Sequence, residues 1–81
     1  MSVISQLDLI ILKELEENEK ISYIKSQTIY EFKISKVVNS NAIYKRIIKL
    51  EKLRYIEKGL KDGKKNTYFI TNLGIERLKN I

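Results

Sequence analysis

Four lysines, Lys58, Lys61, Lys64 and Lys65, surround Asp62-Gly63 within the stretch EKGLKDGKKNTYFITNLG. Lysine ammonium groups at a turn offer one chemistry: they attract anionic oxygens and need no rigid geometry to do so. A second basic set precedes them. Lys45, Lys49 and Lys52 follow one another at steps of four and three, the spacing that aligns side chains along one side of a helix. Ser40, Asn41 and Tyr44 lie just upstream, with Arg46 at the flank, and Asn66 follows the turn. Catalytic chemistry has far less to work with. There is no His and no Cys. The commonest general base near neutral pH and the commonest metal ligand are therefore missing, along with every thiolate. No Ser-His, Cys-His or glycine-rich phosphate motif is present. These observations predict a non-enzymatic protein with no metal and no cofactor.

The charge balance agrees with a role in binding. The formal net charge of the 81 residues is +6, but residues 1–19 carry five acids against Lys13 alone. The remaining 62 residues carry fifteen bases and five acids. Such asymmetry suits a polyanionic partner on one side of the molecule; a solvated basic surface is the competing reading. The longest apolar run, residues 9–12, is far short of the roughly 20 residues that span a membrane, and no basic leader precedes it. A cytoplasmic protein with no membrane contact is expected. Without repeats or a Pro- or Ser-rich linker, residues 1–81 read as a single domain.

The elements that would hold these groups can be read from caps and periodicity. Ser5 with Asp8 three residues on is a short-armed capping box, and Leu7, Ile10, Ile11 and Leu15 recur behind it at helical spacing. Ile21, Ile24, Thr28, Ile29 and Phe32 also step by three and four. They predict a second helix within 24–33, capped by Ser22 or Ser26, unless Ile21 forms a short edge strand. Asn39 is the strongest cap signal. It opens a run free of Gly and Pro that predicts a helix over 40–54, with Ile43, Ile47 and Leu50 inward. Residues 55–60 and 67–70 read as two strands joined at Asp62-Gly63, where Gly tolerates the positive φ of a tight turn. Thr71 or Asn72 caps a last short helix with Leu73, Leu78 and Ile81 inward. Gly74 in its first turn suggests close packing. The fold class is mainly α with a small β-hairpin: three helices, hairpin, helix.

Residues 39–78 resemble the recognition helix and wing of winged helix-turn-helix regulators, and are most similar to the PadR and MarR groups. Ile43-Tyr44 matches the apolar-Tyr pair early in the PadR recognition helix, and Leu50-Glu51 matches its usual ending. Tyr55-Ile56 matches the start of the wing. Tyr68-Phe69-Ile70-Thr71 and Gly74 match the return strand and helix start. At Arg54 the family pattern has Gly.

This resemblance implies a sequence-specific double-stranded DNA-binding protein associated with the nucleoid. A transcriptional repressor is expected, since occluding a site requires no further surface. The unusually apolar first helix and the C-terminal helix ending in Leu78 and Ile81 suggest a homodimer paired through the N-terminal helix, the C-terminal helix or both. The resemblance places helix 40–54 in the major groove and wing 57–68 on the backbone or minor groove. The implied DNA-binding residues are Ser40, Asn41, Tyr44, Lys45, Arg46, Lys49 and Lys52 on the helix, with Lys58, Lys61, Lys64, Lys65 and Asn66 on the wing.

Each assignment has a plainer rival. Asn41 pairs with adenine or is an ordinary first-turn polar residue. Tyr44 reaches a phosphate or packs against the second helix. The lysine row contacts phosphates or is simply solvated. Arg46 meets a phosphate or a carboxylate of helix one or two. Ile48, amid the basic face, touches a thymine methyl, packs under a neighbour, or is merely exposed. The hairpin lysines lie on DNA or prevent edge pairing. Two other functions stay open: a plasmid or viral partition or replication protein, and a winged-helix protein-interaction module.

Overall fold

The computed structural model describes residues 4–80. Ser5 begins helix α1 (Gln6–Glu17): its hydroxyl accepts the Asp8 N–H at 3.1 Å, while the Asp8 carboxylate accepts the Ser5 N–H at 3.0 Å. The capping box satisfies two donors that the helix geometry leaves open. The inward face of α1 is Asp8, Ile11, Leu12 and Leu15, spaced i, i+3, i+4 and i+7. Ile10 falls outside that face and is 39% exposed, contrary to the sequence reading.

No helix forms over 24–33. Side chains compete with the helical backbone there. The Ser22 hydroxyl accepts the Lys25 N–H at 3.2 Å, and the Ser26 hydroxyl donates to the Tyr23 carbonyl at 3.3 Å. Ile21 and Ile24 are exposed. Gln27 is drawn into an antiparallel bridge with Tyr68, and Thr28 is extended at φ −78° and ψ 167°. Two short 3-10 turns, Ile29–Glu31 and Lys33–Lys36, take the helix's place. Glu14, buried on α1, accepts the Lys33 N–H with both carboxylate oxygens, at 3.1 and 2.9 Å, and so fixes the start of the second turn.

Helix α2 (Ser40–Lys52) starts where Asn39 predicts: the Asn39 side chain accepts the Asn41 N–H at 2.7 Å. Ile43, Ile47 and Leu50 are fully buried. The helix ends two residues before the expected boundary. Arg54 turns it off in the left-handed region, at φ 64°. The Arg54 N–H donates to Glu51 and the Tyr55 N–H to Leu50, the pairing of a Schellman ending. This backbone suits glycine and strains other residues. Arg54→Gly is therefore expected to stabilise the fold by about 1 kcal/mol. A thermal melt would show a rise of roughly 4–8 °C for a domain of this size; an unchanged or lower midpoint would count against the strain.

Strands β1 (Ile56–Lys58) and β2 (Tyr68–Ile70) pair antiparallel, with Ile56 opposite Ile70 and Lys58 opposite Tyr68. At the tip, Asp62 and Lys65 exchange two backbone hydrogen bonds of 3.0 Å, and Gly63 takes φ 64° as the first central residue. The extra strand pairing expected at Ile21 is found at Gln27, on the other edge of β2, through bonds of 3.0 and 2.8 Å with Tyr68.

Helix α3 (Asn72–Lys79) is capped by the Thr71 hydroxyl, which accepts the Gly74 N–H at 3.1 Å. A Cβ at Gly74 would fall 2.5 Å from the Tyr55 carbonyl oxygen and 2.7 Å from Ile70 Cγ1, so the close packing expected there is present. Leu78 packs on the core as expected. Leu73 does not, being 52% exposed, and Ile75 packs in its stead. Ile81 lies outside the described residues.

One apolar cluster joins the elements: Ile11, Leu12 and Leu15 of α1, Phe32 between the 3-10 turns, Ile43, Ile47 and Leu50 of α2, and Ile56, Tyr68 and Ile70 of the hairpin. Burying each such side chain contributes on the order of 1.5–3 kcal/mol. The result is a mainly helical fold with a small two-stranded hairpin, compatible with a winged helix.

Candidate functional site

The start of α2, the first 3-10 turn and the hairpin tip meet around a cleft of about 300 Å³. Ser40, Asn41 and Tyr44 line it from α2, and Lys64, Lys65 and Asn66 from the hairpin. These are six of the residues singled out in the sequence, and the fold brings them together from segments twenty positions apart. Because Asn39 caps α2, Asn41 is left exposed, with its side chain unpaired among the described residues. Tyr44 is likewise exposed at the cleft edge. Lys64 and Lys65 are exposed on the opposite rim. Among the described residues no carboxylate lines the cleft, so an anion entering it meets lysines and neutral donors.

Tyr68 forms part of the wall. Burial pushes its phenol above the ordinary value, helped by the Glu51 carboxylate and by Tyr44, while a hydrogen bond with Asn66 partly offsets the rise. It therefore remains neutral at physiological pH.

The other expected residues lie elsewhere. Lys45 and Lys52 are exposed along α2, and Lys58 and Lys61 along the hairpin. Arg46 takes the second of its two readings. Its Nε and Nη2 each donate to an oxygen of Asp8 on α1, both at 2.7 Å. Lys49 Nζ lies 3.4 Å from Asp8 Oδ2, so the lysine row is directed partly inward at its middle. The Asp8 side chain is fully buried. Burial raises its pKa, but the Arg46 hydrogen bonds, the Ser5 N–H and hydroxyl, and the Arg46 charge outweigh that, and it lies at about 2. Arg46 is raised in turn by its bond to Asp8. This pair ties α1 to α2. Ile48 is half-buried.

Sequence reasoning missed the first 3-10 turn as part of the site. Thr28, Ile29 and Tyr30 line the cleft beside α2. The available signal was Tyr30, the large apolar-bodied residue in 24–33 that stood outside the predicted core stripe.

Among the described residues there is no group of three or more His, Cys, Asp or Glu placed to hold a metal ion. None of the described helices is long and apolar enough to cross a membrane.

No family model matches the chain. No solved structure matches it either. A curated relative does: the DNA-binding protein TubR of a Clostridium botulinum C phage, 34% identical over 71 residues that make up 88% of each chain.

Proposed function

The chain belongs to the family of the DNA-binding protein TubR, and from that premise we propose that it is a double-stranded DNA-binding protein of the winged helix-turn-helix type. In this reading α2 is the recognition helix, entering the major groove by its N-terminal end. The hairpin is the wing, lying on the backbone or the adjacent minor groove. One observation carries the reading: the exposed polar start of α2 and the lysine-bearing hairpin tip border the same cleft, which among the described residues no carboxylate lines. Asn41 and Tyr44 are exposed where base edges would lie. Lys64, Lys65 and Lys61 supply charge that orients the protein on phosphate without reading sequence. Lys45 and Lys52 extend the basic surface along α2, and Lys58 along the wing.

The protein acts as a homodimer in this account, with one α2 per half-site. The half-exposed Ile10 on α1 and Leu73 on α3 support pairing through these helices.

Two purposes for such binding differ in footprint. A repressor occupies a single palindromic operator. A partition or replication protein of a plasmid or virus covers an array of repeats.

The test is binding to the DNA upstream of the protein's own gene and to random DNA, across a salt series of about 50–200 mM. Tight, preferential and steeply salt-dependent binding to the upstream DNA is expected. Footprinting then separates the two purposes by its extent. Absence of binding at low salt would overturn the account and point to a protein partner for the basic face.

A further inference from the structure

Tyr30 has no part in the core. The turn Ile29–Glu31 is bracketed by buried Thr28 and Phe32, and Ile29 packs on the core, so the next side chain must face outward. Tyr30 is 64% exposed. The turn beneath it is held firmly: the Glu31 carboxylate accepts the Thr28 N–H at 3.0 Å, and the Ser35 hydroxyl donates to the Tyr30 carbonyl at 3.2 Å. Its ring meets the Lys65 ammonium, which lies 5.3 Å from the ring centroid, within cation–π range. Lys65 is itself fixed through its backbone pair with Asp62. A lysine stem ordinarily loses rotamer freedom when its head group meets an anion. An ammonium already placed by an aromatic ring loses less.

We propose that Tyr30 is a positioning residue of the DNA interface, its ring holding the Lys65 ammonium at the cleft where one phosphate of the DNA backbone sits. The proposal rests on the DNA-binding reading and adds to it a residue and a role. Lys64, Ser40 and Asn41 border the same space and complete a neutral-to-positive surround for the phosphate.

A double-mutant cycle on duplex binding, read by fluorescence anisotropy at fixed salt, tests it. Tyr30→Ala is expected to weaken binding roughly two- to fivefold, the worth of an exposed cation–π contact. Tyr30→Phe keeps the ring and should bind as the unaltered protein does. In a Lys65→Ala background, Tyr30→Ala should have no further effect, since its only route of action is gone. An equal loss in both backgrounds overturns the proposal, as does no loss in either, or a loss with Tyr30→Phe. Tyr30 is exposed, so thermal melts of all variants should coincide with that of the unaltered protein. The titration of the unaltered protein separates the two levels: if it binds no duplex at any salt, the DNA-binding reading has failed and the proposal falls with it. Binding without the coupling sinks the role of Tyr30 alone.

Discussion

Asp8→Ala lowers the stability of the protein by about 3 kcal/mol. It leaves Arg46 without its buried partner and removes half of the α1 cap. The Asp8 side chain is fully buried, and its two oxygens receive both donors of the Arg46 fork as well as the Ser5 N–H. A chain of this length has a total stability of roughly 4–12 kcal/mol, so the loss is a large share of the whole. Urea denaturation at pH 7 measures it; a change below about 1 kcal/mol would show that the pair is dispensable.

The same carboxyl gives a pH signature. Its folded value of about 2 lies below the ordinary aspartate value of 3.8. The resulting stability is fully present above about pH 4 and is lost as the pH falls toward 2, an effect of about 2 kcal/mol. In Asp8→Asn that part of the acid sensitivity should vanish.

Lys64→Ala combined with Lys65→Ala flattens the salt dependence of DNA binding. Each phosphate contact adds about 0.9 to the logarithmic salt slope. Losing two contacts therefore reduces the slope by about 1.8, and the fall in affinity between roughly 50 and 200 mM salt becomes about tenfold smaller. The weakening should be equal for upstream and random DNA, because phosphate contacts carry no sequence information. A titration series that returned the parent slope would remove the hairpin tip from the interface.

Local chemistry was legible where it decides the outcome. Ser5, Asn39 and Thr71 each cap the helix that their type and position announce. Asp62-Gly63 makes the hairpin turn. Ile43, Ile47 and Leu50 form the inner face of α2.

The segment between α1 and α2 was not legible, because its conformation is set from far away. Glu14 anchors Lys33 from 19 positions upstream, and Gln27 pairs with Tyr68. No window of ten or fifteen residues contains both members of either pair. Its apolar spacing of three and four suggested a helix, yet Ile21 and Ile24 face solvent.

Arg46 shows the same limit within the site. Its position on the flank of α2 fits a phosphate or a carboxylate equally well, and the partner that decides, Asp8, lies 38 positions away. The gathering of Asn41, Tyr44, Lys64 and Lys65 around one cleft is a product of the hairpin folding back, which charge counts along the chain do not reveal.

The bridge between Gln27 and Tyr68 also bears on how this chain can diverge among its descendants. Residues 20–27 look like a permissive connection, but they are stitched to the hairpin at three places: Lys20 accepts from Ile70, Tyr23 from Leu60, and Gln27 exchanges two bonds with Tyr68. One inserted residue there would shift the register and turn side chains to the opposite face. Length variation should therefore accumulate at the exposed tip around 61–65, where the Asp62–Lys65 pair closes the turn on itself, and be rare in the connection that looks freer.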